Sequence, residues 1–118
     1  MKTLNVLPFV LLLMTACEPV TTVTRLSPNA YPAKPQDCNI QILTQAPTHR
    51  KYEEIAILST VTVDGVGDKS LNAMLPSIRK TACEWGADAV LIKNVEPGSP
   101  SLQTSTGKAY TVAINFLD

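Results

Sequence analysis

LNAMLPSIRKTACEWGADAVLIKNV, residues 71–95, carries the change of period on which the fold turns. Leu71, Met74, Leu75, Ile78, Ala82 and Trp85 follow one another at steps of 3, 1, 3, 4 and 3 residues, which puts all six on one stripe of a helix. Pro76 interrupts the pattern. Inside a helix it forfeits a hydrogen bond and crowds the preceding turn, so the helix is expected to begin near it or to bend there. Gly86 fits a left-handed helix cap, a conformation that penalises any side chain, and the chain then enters the strand ADAVLIKNV.

Three further strands flank this unit. In CNIQIL, Cys38, Ile40 and Ile42 alternate with Asn39 and Gln41, the pattern of a half-buried strand. IAILSTVTV, from Ile55 to Val63, is rich in β-branched residues. It places Ile55, Ile57, Val61 and Val63 on one face and Thr60 and Thr62 on the other, where the two threonines are expected to be exposed. AYTVAINFLD sets Tyr110, Val112, Ile114 and Phe116 against Thr111, Ala113 and Asn115. The order strand, strand, helix, strand, strand predicts an α+β domain over residues 38–118: a mostly antiparallel four-stranded sheet with one helix packed on one face. Ala89, Val90, Leu91 and Ile92 are apolar on both sides, so something must also cover the second face. Self-association, a homo-oligomer, is the simplest cover.

The amino terminus reads as an address. Residues 1–16 hold Lys2, the apolar run LPFVLLLM and small residues before Cys17, the layout of a secretory signal. That run is shorter than the roughly 20 residues a membrane-spanning helix needs. Met-Thr-Ala-Cys resembles a bacterial lipobox, which makes Cys17 the residue expected to carry the lipid. Several acyl chains, at about 0.8 kcal/mol per buried methylene, anchor a protein to the membrane essentially permanently. Glu18 stands where an inner-membrane retention signal would have aspartate. The expected location is therefore the outer membrane, with the domain facing the periplasm. Residues 17–37 are Cys17 and the proline- and threonine-rich text EPVTTVTRLSPNAYPAKPQD, Glu18 to Asp37, which reads as a tether. In polyproline II geometry it would reach about 60 Å, with TTVT as an alternative edge strand.

Export leaves Cys38 and Cys83 as a pair in an oxidising compartment. Cys38 shares a strand face with Ile40 and Ile42, and Cys83 lies at the flank of the helical stripe, roughly 120° from its centre at about 100° per residue. A disulfide between them is the expected arrangement; two buried thiols, or a metal site completed by His49, are the alternatives.

No catalytic constellation is present. His49 lies in a loop beside Arg50 and Lys51, with no nucleophile set by a recognisable turn. Glu53 and Glu54 read as surface partners of those two cations. Asp64 and Asp68 flank two glycines but lack the further oxygen ligands of a calcium loop. Lys+Arg and Asp+Glu both number 10, and aromatic residues make up 5%, so neither a charged groove nor a stacking platform for nucleic acid is expected. No cofactor is expected either.

The stretch KTACEWGADAVLIKN, preceded by a strand containing RKYEEIAIL, resembles a family of small bacterial envelope lipoproteins that includes the Rcs stress-sensing outer-membrane lipoprotein. The resemblance spans residues 38–118 and rests on the helix end and on Ala87–Leu91 entering a strand. It implies a lipid anchor, a tether and a non-catalytic domain that binds an envelope protein partner as a sensor or interaction module. The Rcs sensor carries two disulfides where this domain has cysteines for one, so redox-dependent maturation does not carry over. A small-ligand or metal-binding periplasmic module is the alternative function.

Overall fold

A computed structural model describes residues 18–62, 67–102 and 104–117. Residues 1–17, which hold the expected leader and Cys17, lie outside the described residues, as do Val63 and Asp64. The order is β1 (Val20–Arg25), β2 (Gln41–Leu43), β3 (Tyr52–Val61), α1 (Leu71–Glu84), β4 (Ala89–Glu96) and β5 (Lys108–Phe116). The strands form a five-stranded mixed sheet in the order β1-β3-β5-β4-β2. Only β2 with β4 is parallel; the other three pairings are antiparallel. The α+β class therefore stands, and the four-stranded expectation is corrected to five.

The additional strand is Val20–Arg25, from the stretch read as a tether. It pairs antiparallel along the whole of Val61 to Ala56. The structure thus bears out the alternative reading of TTVT: an edge strand half-buried on one face and open on the other carries little apolar alternation, and its β-branched content is what betrays it. CNIQIL was too generous, because only Gln41–Leu43 is strand and Cys38 precedes it.

α1 lies chiefly over β3 and also touches β1, β4 and β5. Its stripe packs as the periodicity predicts: Met74, Ile78 and Ala82 are buried, and Leu71, Leu75 and Trp85 are half-buried against the same core. Pro76 sits inside the helix at an exposed position rather than at its start. A register shift in β3 between Glu54 and Ala56 changes which residues face the helix. Ile55, Ala56 and Leu58 join the helix-side core, whereas Ile57 packs with Ala89, Val112 and Ile114 on the other face. The threonines expected in solvent are buried instead. The Thr60 hydroxyl lies 2.8 Å from that of Thr21, and Thr62 accepts a hydrogen bond from the Gly107 amide.

The helix closes as a Schellman turn, with Gly86 N–H donating to the Cys83 carbonyl and Ala87 N–H to that of Ala82. Gly86 has φ +72°, and a Cβ there would lie 2.4 Å from the Pro32 carbonyl oxygen. Gly86→Val should therefore cost more than about 1 kcal/mol. A thermal-unfolding midpoint equal to that of the unsubstituted protein would contradict this account of the turn.

Candidate functional site

Residues 26–38 wrap the carboxyl end of α1 and end in a covalent bond. Cys38 is joined to Cys83, with their α-carbons 5.9 Å apart and a sequence separation of 45. Cys83 is fully buried, so it is a core residue and not the peripheral position its helical angle suggested. Lys34 ties the same region by a backbone bond to the Cys83 carbonyl. Its ammonium group bonds the Ala87 carbonyl and the Asp88 carboxylate, each at 2.9 Å.

Glu53 is the polar centre of the wrap. Its carboxylate accepts from Ser27 Oγ at 2.6 Å, from Asn29 Nδ2 at 2.9 Å and from the Tyr31 hydroxyl. The Ser27 and Tyr31 hydrogen bonds stabilise the ionised form and hold Glu53 below the usual glutamate range. Tyr31, donating to that carboxylate, is pushed up. At Asp88, burial pulls the carboxyl upward, but the bonds from Lys34 and the Phe116 amide outweigh it and the net shift is downward. Glu53 thus belongs to residues 27–31 rather than to the Arg50–Lys51 pair expected from sequence. Glu54 instead faces Lys93 across β5, at 3.9 Å.

Two concavities among the described residues bear on binding. At the β2 edge, Leu43 and Phe116 form the floor of a hollow of about 230 Å³ whose rim carries Pro47, His49 and Arg50. The Arg50 guanidinium stacks 3.7 Å above the Phe116 ring. The second face expected to need a partner is thus partly covered by the protein's own loop, while Val20, Val61 and Tyr110 stay exposed. At the opposite edge a groove of about 350 Å³ runs between Glu18, Pro19 and Thr21 on one side and Pro76, Lys80 and Glu84 on the other.

The structure brings Cys38 and Cys83 together and leaves His49 in an exposed loop on the hollow's rim. Both thiols are consumed by the bridge, so the two cysteines and His49 do not form a ligand set in this state. Among the described residues, no group of three or more His, Cys, Asp or Glu side chains could hold a metal ion. Asp68 accepts a hydrogen bond from the Ser70 amide at 2.9 Å; hydrogen bonding by the Ser70 side chain, and second by that amide, holds the carboxyl below the usual aspartate range. Sequence reasoning missed Lys69. It is buried with its ammonium group donating to the Leu102 carbonyl at 2.5 Å and to that of Ser105, and a lysine next to a glycine-rich loop gives no periodic hint of burial.

No family model matches the chain, and no curated protein does. The crystal structure of a Francisella virulence factor, FvfA, in its orthorhombic form is similar, with a TM-score of 0.61 at 15% identity. The match covers 81% of this chain and 97% of that one. At such identity the likeness is one of fold.

Two outcomes are expected. The bridge closes a 45-residue separation, which the loop-entropy relation values at about 4 kcal/mol. Denaturant unfolding with reductant should show that loss, and the denatured, unreduced protein should titrate no thiol at 38 or 83. The carboxylates give a pH dependence. Glu53 and Asp88 bind protons less readily folded than unfolded. Their contribution is therefore complete above the ordinary carboxylate range, about pH 4 to 4.5, and is lost as pH falls through their lowered folded values. Glu53→Gln should melt lower than the parent at about pH 7 and lose less on acidification; parallel pH profiles for the two proteins would count against this assignment.

Proposed function

We propose that this chain is a non-catalytic lipoprotein of the bacterial envelope, anchored through Cys17 to the outer membrane with its domain in the periplasm. Its role on this reading is to bind an envelope protein partner, as a sensor or interaction module similar to the Rcs stress-sensing lipoprotein. The observation that carries the reading is the Cys38–Cys83 bridge. A disulfide persists in an oxidising compartment, which is where the leader before Cys17 would deliver the domain. The arrangement of polar groups adds support: Glu53, Asp88, Lys34 and Lys69 are engaged in holding chain segments together.

The alternative, a small-ligand module, would use the hollow over Phe116, an apolar recess with a cationic rim. Metal in a Cys-Cys-His set would require the bridge to be open. Native purification separates the two readings: a small molecule retained by the domain supports the ligand module, and recovery of a single envelope protein crosslinked to photoreactive residues at Lys93 or Tyr110 supports the partner module.

The anchor has its own test. Cells fed a fatty-acid analogue should label the wild-type protein and not Cys17→Ser, which should also leave the membrane fraction. Undiminished labelling of Cys17→Ser would refute the anchor.

A further inference from the structure

The segment expected to carry the domain away from its anchor is part of the domain. Val20 pairs with Val61, so only Glu18 and Pro19 separate Cys17 from the first residue of the sheet. Three residue steps span at most about 11 Å, against about 60 Å for the same stretch as a free polyproline II tether. No slack follows β1 either. Leu26 N–H bonds the Ile55 carbonyl and Lys34 N–H that of Cys83, at 2.9 and 2.8 Å.

The place where the chain leaves the domain is also defined. Glu18 and Pro19 form one wall of the groove whose other wall is Pro76, Lys80 and Glu84 of α1. The route to Cys17 therefore starts between the outer edge of β1 and the outer surface of α1. Along that edge the strand exposes Val20 and, on the sheet face away from α1, Thr22 and Thr24, while the helix exposes Lys80 and Glu84, so the flank is mostly polar. The unpaired strand edge between them offers hydrogen-bonding groups suited to a hydrated phosphate-rich layer and not to a hydrocarbon interior.

We infer that the anchored domain rests on phospholipid headgroups with this flank, β1 and the outer face of α1, turned to the membrane. The inference depends on Cys17 being the lipidated residue. Four strand spacings of about 4.8 Å put the β2 edge some 19 Å from β1. The hollow beside His49 then opens on the aqueous side, where a periplasmic partner or ligand can reach it.

The test uses the full lipidated protein, isolated from expressing cells and placed in phosphatidylethanolamine–phosphatidylglycerol vesicles containing headgroup-nitroxide lipid. Thr24→Cys, Lys80→Cys and His49→Cys each add one free thiol for a fluorophore, since Cys38 and Cys83 are bonded to each other. Quenching should be several-fold stronger at positions 24 and 80 than at 49. Equal quenching at the three positions, or strongest quenching at 49, overturns the inference. Mass measurement of the amino-terminal peptide separates the two failures. An unmodified Cys17 removes the anchor and this inference with it, whereas a lipidated Cys17 with equal quenching removes the orientation alone.

Discussion

The turn at Gly86 admits no side chain, and much of the molecule is arranged around that constraint. Its left-handed backbone reverses α1 into β4, and the absent Cβ leaves room for the Pro32 carbonyl at a distance no side chain would tolerate. Because residues 31 and 32 can come this close, Lys34 can reach the Cys83 and Ala87 carbonyls and the Asp88 carboxylate. From the other side the Asn115 side chain bonds the Gly86 carbonyl and the Asp88 amide. The wrap, the helix end, the start of β4 and the end of β5 are thereby held at one point, and the Cys38–Cys83 bridge crosses it covalently.

A covalent fastening suits the core beneath it. Ala56, Ala82, Ala87, Ala109 and Ala113 are all buried in the helix-side cluster. Small side chains let α1 approach the sheet closely, but each removes little apolar area from water, so a domain of this size gains less from burial than one packed with leucine or phenylalanine. Constraining the unfolded chain offsets part of that shortfall without enlarging the core. The Glu53 cluster acts on the same segment by polar means, satisfying one carboxylate with three donors drawn from five consecutive residues.

What the sequence disclosed follows the strength of its periodicities. The helical stripe, the Gly86 cap and the strands at 89–96 and 108–116 were legible because burial on a defined face forces a pattern. Cys38 and Cys83 could be paired by compartment and parity. In β3 Ile57 does lie on the face opposite Thr60, but Ile55 joins the helix side because the irregularity between Glu54 and Ala56 breaks the two-residue alternation without leaving a mark in residue type. Thr60 looked exposed because a buried hydroxyl is recognisable only from its partner, and that partner, Thr21, lies in a strand 39 residues earlier. β1 itself was hidden by its place at the edge.

That place also makes β1 the sheet element with the smallest share in the apolar core. Val23 is its one side chain packed against the helix-side cluster; the rest of its attachment is backbone pairing, a hydroxyl chain from Thr60 through Thr21 to Ser77, and Arg25 over the Trp85 ring at 5.0 Å. Hydrogen bonds exchanged with water contribute about 1 kcal/mol each, less than a buried leucine. Local opening should therefore begin at β1 before it reaches the bridge-fastened centre. The Glu53 cluster limits how far it can spread, because Ser27, Asn29 and Tyr31 hold the chain immediately after β1 to β3. The amino-terminal end of the described chain is thus held by six residues of edge strand, and the limit to its opening is a carboxylate whose hold weakens with acid.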